Sequence, residues 1–249
     1  MKYNFNDMLS PAFEWIFDND NVFKNLPIIC TNYDKLQSDI NSLKSPHIVI
    51  CATFGDATIT KVALNDMVVK LYATNLNVKV ERAISLPIGV LEGQAEIITQ
   101  IQPTPKTKLV YCNFNKNTHC SRRCNIPYPN DFRPSKREDK NQLIQNITYY
   151  FNQVVQHKFM ICPRGNGIDT YRMWESLYCS TIPIVQRSPF IEYWENLIPI
   201  VIVDNFSQLT NDFLNQQYEI INNKTCYLKY LSRKFWIEQI KQEAIKIKK

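Results

Sequence analysis

Short, nearly unbroken apolar runs punctuate this chain, and polar or helically periodic stretches separate them. Ile28-Ile29-Cys30, Ile48-Val49-Ile50-Cys51, Lys108 to Phe114, Phe159 to Cys162, Thr181 to Val185 and Ile200 to Asp204 have the length and the β-branched or aromatic flavour of buried strands. Met67 to Ala73 and Val78 to Ile84 supply one or two more. Between them, apolar residues at helical spacing predict helices over Asp34–Leu43, Leu91–Ile101 (starting near Glu92), Lys140–Val155, Phe190–Trp194, Asp212–Gln217 and Thr225–Lys249. Ser10 followed by Pro11 predicts a short amphipathic helix to about Phe17. Strands alternating with helices, and apolar on both faces, predict an α/β fold with parallel sheets.

The best linker is Gln102-Pro103-Thr104-Pro105-Lys106-Thr107, polar and with two prolines. It divides the chain into residues 1–102 and 106–249. Each part carries strand–helix–strand beats of its own, so two α/β domains are expected. The apolar stripe of the last helix, with Tyr227, Tyr230, Leu231, Phe235, Trp236 and Ile240, suits either a return onto the first domain or an ordinary cap.

The richest stretch is Lys158 to Gln186. A strand ends at Pro163, and Arg164-Gly165-Asn166-Gly167 forms a turn. A helix then begins with Asp169 or Thr170 as N-cap and Tyr171, Trp174, Leu177 and Tyr178 on one face. The chain has only 5 glycines, and two of them sit in this turn. Such sparing use points to positive φ or to a close approach. The whole reads as strand, turn, helix, strand, half of a doubly wound sheet, where helix N-termini receive anions at the carboxyl ends of strands. Arg164 and Arg172 bracket the helix start and suit a phosphate. Glu175 lies one turn further on and suits hydroxyls, a nucleotide ribose being the natural candidate. An Arg/Glu pair on a helix is also what a solvated surface carries.

Composition narrows the classes. At 249 residues, 45% apolar and 12% aromatic, the chain can bury a real core. A formal charge of +6, concentrated partly in the tail, does not mark a nucleic-acid protein. Of 8 cysteines, Cys51, Cys112, Cys162 and Cys179 sit in or beside apolar runs, as buried thiols do. No signal-like apolar region lies in residues 1–20 and no stretch is long enough to span a bilayer, so a reduced, soluble, cytoplasmic protein is expected. His119, Cys120 and Cys124 have a zinc-like spacing but no second cluster to complete four ligands, so no metal is expected. Asn146-Ile147-Thr148 matches a glycosylation sequon, which a cytosolic helix would not use.

Cys162 to Val185, CPRGNGIDTYRMWESLYCSTIPIV, resembles the signature of exostosin-like glycosyltransferases: an SPRG or CPRG turn, a D-x-x-R-x-W/Y-E-A/S-L helix and an IPIV strand. The likeness is close there and looser from Lys106 to Asp204, and Leu86 to Val90 resembles the family's segment before the domain boundary. It implies a GT-B fold, two Rossmann-like domains facing a cleft, with the donor held mainly by the second, Arg164 and Arg172 on the diphosphate and Glu175 on the ribose. Relatives also have an N-F-x-x-x-T…R segment approaching the diphosphate. Here Asn113, Thr118 and either Arg122 or Arg123 match it, with Arg123 favoured slightly. In a GT-B enzyme the base comes from the first domain, and Asp56, on the loop after the second strand, is the candidate, ahead of Asp34 and Asp66. As a Gly-Asp pair it also has an ordinary reading as a turn. Cellular exostosins carry a membrane anchor; short soluble relatives occur in large algal viruses, and the Asn, Ile and Lys richness suits an AT-rich genome.

The expected activity is inverting, metal-independent transfer of a sugar from a nucleoside diphosphate donor, UDP-linked, to a hydroxyl of a glycan acceptor. The rivals are an inactive nucleotide- or glycan-binding module of the same fold, a fucosyltransferase-type enzyme using a GDP-sugar, and a nucleotide-sugar epimerase. The last would need a third glycine after Gly165-Asn166-Gly167.

Overall fold

The computed structural model describes residues 8, 23–52, 57–91, 93–119, 123, 126–132, 139–223 and 228–248. Among these residues the chain forms two four-stranded sheets, all parallel, and seven α-helices. The first sheet uses β1 (Ile28–Thr31), β2 (His47–Cys51), β3 (Val68–Ala73) and β4 (Ala83–Ser85), with α1 (Leu36–Ser42) between β1 and β2 and α2 (Gln94–Gln100) after β4. The second uses β5 (Lys108–Cys112), β6 (His157–Ile161), β7 (Ile182–Gln186) and β8 (Val201–Val203). Its helices are α3 (Lys140–Val154), α4 (Tyr171–Tyr178), α5 (Pro189–Trp194) and α6 (Asn211–Asn222). Helix α7 (Arg233–Ile247) ends the described chain. The helix expected near residues 10–17 lies outside the described residues.

Strand order is sequential in both sheets, β1-β2-β3-β4 and β5-β6-β7-β8. A doubly wound sheet reverses its order at a switch point, and these four strands do not. With right-handed crossovers, steady progress puts every connecting helix on one face. In the second sheet Met160, Cys162 and Val185 accordingly meet α3, α4 and α5 through Phe151, Trp174 and Trp194. Their neighbours Phe159, Ile161 and Ile184 face Leu214 and Ile221 of α6. The alternation is the period of two that a pleated strand imposes.

The first sheet is closed in the same way. Val49, Cys51, Leu71 and Ala73 pack on Leu36 and Ile40 of α1. Ile48, Ile50 and Tyr72 face Trp236, Ile240 and Ala244 of α7, so the last helix covers the first sheet. Lys70 and Glu243 add an ion pair at 3.7 Å between β3 and α7. That same core continues to Met160 and Trp174 of the second half. Residues 102–107 belong to no helix or strand, yet are anchored: Thr104 Oγ1 donates to Val155 O, and Lys106 Nζ donates to Cys179 O at 2.9 Å and to Thr181 Oγ1 at 2.6 Å.

No helix among the described residues is long and apolar enough to cross a membrane. Cys51, Cys112, Cys162 and Cys179 are buried, as their apolar settings predict, while Cys30 is exposed.

Candidate functional site

The site lies where β5 and β6 end and α4 begins. After Cys112 the chain turns at Asn115, whose carbonyl accepts Thr118 N at 3.2 Å, so Thr118 is a half-buried turn residue. After Ile161 comes the turn Arg164-Gly165-Asn166-Gly167. Neither glycine has a positive φ; among the described residues the glycines in the left-handed region are Gly89 and Gly93. The turn glycines serve close approach instead. A Cβ on Gly165 would lie 3.4 Å from Arg123 Nη2, and one on Gly167 only 2.9 Å from Asn75 Oδ1.

Arg123 is 4% exposed and clamps both loops. Its Nε donates to Arg164 O at 3.0 Å and its Nη1 to Asn115 O at 2.7 Å, while the guanidinium sits 5.5 Å from the Phe114 ring centroid. Burial, and then the like charge of Arg172, pull its pKa down to about 10, so it remains a cation at neutral pH. Arg172 Nε donates to Asn113 O at 2.5 Å, on the same loop. Arg164 is half-buried, and its Nη2 donates to Asn166 O at 3.3 Å. Arg123 thus ties the Arg164 backbone to the loop that Arg172 also holds, while the Arg164 side chain lines a separate hollow with Asp169, Thr170 and Met173. Of the two adjacent arginines, Arg122 lies outside the described residues, as do Asp56, Cys120 and Cys124. The described residues contain no cluster of three His, Cys, Asp or Glu side chains able to hold a metal.

Asp169 stands apart from this group. It is buried, and its carboxylate accepts Ile88 N at 2.9 Å, Thr170 N at 2.7 Å and Trp174 Nε1 at 2.8 Å. Its own N–H donates to Asn75 Oδ1 at 2.9 Å. It joins the turn to the first half of the chain, with its oxygens already occupied. Thr170 is the N-cap of α4 by position, with no side-chain cap bond. Asn166 is exposed at the tip of the turn.

Glu175 is 4% exposed and lines a cavity of about 210 Å³ together with Asn113, Tyr149, Tyr150, Tyr171 and Arg172. Leu91 and Gln94 close it from the other half. Burial raises the pKa of Glu175; Arg172 and the hydrogen bond from Tyr150 oppose that rise. The Tyr150 hydroxyl donates to Glu175 Oε2 at 2.6 Å. Asn113 is held by Nδ2 bonds to Tyr111 Oη at 3.0 Å and Asp131 O at 3.1 Å. By its spacing with Leu143, Ile147, Phe151 and Val154, Tyr150 reads in the sequence as core packing of its helix. The adjacent pair Tyr149-Tyr150, on a helix with an exposed face, was the signal available.

Three features thus meet on α4: a basic cluster at its N-terminus, a buried carboxylate one turn on, and an aromatic, polar cavity beside both. Anions suit the first, hydroxyls the second and a flat ring the third. No family model matches the chain, and no curated protein matches it.

Proposed function

We propose that the chain is a glycosyltransferase of GT-B arrangement, with residues 1–102 on the acceptor side and 106–249 binding a nucleoside diphosphate sugar, UDP-linked. The observation that carries this reading is the placing of Arg123 and Arg172 on one loop beside the start of α4, Arg172 three residues ahead of Glu175 in the wall of the same cavity, with Arg164 on the adjoining turn. The signature-like residues from Cys162 to Val185 support it. In the reaction the acceptor oxygen bonds to the anomeric carbon from the face opposite the leaving group, so the configuration inverts. The bond from that carbon to the phosphate oxygen breaks, and the hydroxyl proton passes to a base, assigned to Asp56. The departing diphosphate gathers negative charge, which guanidinium groups and a helix N-terminus stabilise without a metal.

A thermal-shift panel of nucleoside diphosphates and their sugars, with and without EDTA, tests this. A ligand at 100 times its Kd stabilises a fold by about 2.7 kcal/mol. A UDP shift surviving EDTA is expected, followed by acceptor-dependent UDP release from one UDP-sugar. No shift with any nucleoside diphosphate would overturn the reading. Binding without turnover would leave a nucleotide-binding module, and a shift with GDP alone would move the donor class.

A further inference from the structure

We propose that Tyr150 is a positioning residue that makes the site selective for a ribose diol, by holding one oxygen of Glu175 and turning the carboxylate to the cavity. This inference rests on the nucleotide-sugar reading. Tyr150 brings a single O–H, which donates to Glu175 Oε2 at 2.6 Å, within the range of charge-assisted O–H···O⁻ bonds. Its ring is fixed by Phe151 at 4.9 Å and Tyr111 at 6.0 Å between centroids, so the hydroxyl has a set place. Burial and the carboxylate beside it raise its pKa well above the ordinary value, so the group stays a donor. The side-chain hydrogen bond of Glu175 among the described residues is the one to Oε2, and Glu175 itself lines the cavity.

The groups that face Glu175 are Arg172 on its own helix, Tyr150 from α3, Cys162 at the end of β6 and Cys179 at the end of α4. Both thiols are buried and neutral, so Arg172 and Tyr150 are what favour the carboxylate. A carboxylate repels phosphate and accepts from hydroxyls. Arg172 precedes Glu175 by three residues, about 4.5 Å of helix rise. Phosphate at the arginines and diol at Glu175 therefore set the ligand's direction along α4.

The test measures binding of UDP, 2′,3′-dideoxy-UDP and inorganic pyrophosphate to the wild-type protein, Tyr150→Phe and Glu175→Gln by calorimetry. A bond to a charged partner is worth about 10- to 100-fold in affinity, so wild type should prefer UDP over the dideoxy form by that factor. In Tyr150→Phe the preference should fall to about threefold or less, with pyrophosphate affinity unchanged. Glu175→Gln, which still offers Tyr150 an acceptor, should lose the preference too. A general loss of structure would lower pyrophosphate binding along with the rest and overturn the assignment. So would a Tyr150→Phe protein that keeps the wild-type preference. Equal binding of both nucleotides by wild type sinks the diol role and leaves the nucleotide site standing. Binding of no nucleotide and no pyrophosphate sinks the nucleotide reading itself.

Discussion

The carboxylate of Asp169 accepts the backbone N–H of Ile88 at 2.9 Å, joining the turn before α4 to a segment 81 residues earlier. The bond is buried, and the same carboxylate takes Thr170 N and Trp174 Nε1. The helix that carries the basic cluster is therefore tied to the first half of the chain at its N-terminal end.

Removing that acceptor should be costly. Asp169→Ala leaves three donors without their partner, two of them buried and each of those costing about 1–3 kcal/mol if unsatisfied. Urea unfolding should show a loss of at least about 2 kcal/mol. Titration adds a second signature. Burial raises the Asp169 pKa from 3.8 to about 7 against the pull of its hydrogen bonds. A folded pKa above the unfolded one means that this group's contribution is complete below pH 3.8 and is lost as pH rises towards 7. Asp169→Asn does not titrate. The stability of wild type relative to Asp169→Asn should therefore fall between pH 4 and 7, by more than about 1 kcal/mol. A constant difference would mean that Asp169 is ionised throughout.

The arginines should separate by role. Under the proposed transfer, Arg172→Ala and Arg164→Ala each remove positive charge next to the leaving group and should lower kcat by about 10²–10³. A loss below about tenfold in Arg164→Ala, with donor affinity unchanged, would remove that assignment. Arg123 is different because two of its nitrogens hold the Arg164 and Asn115 carbonyls. Arg123→Ala should lower the melting temperature and nucleotide affinity together. Arg123→Lys should rescue neither, since one ammonium cannot match the spread of a guanidinium fork.

The fold was legible because its strands are buried on both faces, and such strands are continuous apolar runs. Lys108 to Phe114, Phe159 to Cys162 and Thr181 to Val185 became β5, β6 and β7 with ends shifted by one or two residues. Strand order was not legible, since pairing depends on which faces the helices cover. Arg164, Arg172 and Glu175 were visible because one short segment carries them. Tyr150 was not, since it reaches Glu175 from a helix 25 residues earlier and looks like a core residue in its own pattern. Asp169 reads as a cap or ligand group because its long-range partner, the backbone N–H of Ile88, has no side-chain signature.

Thiol reactivity offers a check on burial that needs no substrate. Burial pushes Cys51, Cys112 and Cys179 up to about 12 and Cys162 further in the same direction. Cys30 is exposed. Iodoacetamide at pH 8 with peptide mapping should label Cys30 at least about tenfold faster than those four, since it is accessible while burial both shields them and suppresses their thiolates. Comparable labelling of Cys162 in the native protein would contradict its place under α4.

Gly167 and Asn75 form a pair whose coupling can be measured. A Cβ on Gly167 would stand 2.9 Å from Asn75 Oδ1, closer than a side chain tolerates, and Gly167 has no positive φ, so the penalty is steric alone. Gly167→Ala should cost about 1–3 kcal/mol, as overpacking does. Asn75 has φ 49°, a left-handed backbone in which glycine is at ease. Asn75→Gly keeps that backbone, deletes the amide oxygen that receives Asp169 N, and should cost about 1 kcal/mol by itself. In the double variant the clash has gone, so the two losses should not add. A coupling of at least about 1 kcal/mol in urea unfolding is expected. Gly165→Ala is the control: its Cβ would meet only the end of the Arg123 guanidinium at 3.4 Å and should cost less than Gly167→Ala. Strict additivity of Gly167→Ala and Asn75→Gly would show that the two residues do not meet, and would undo the junction built around Asp169.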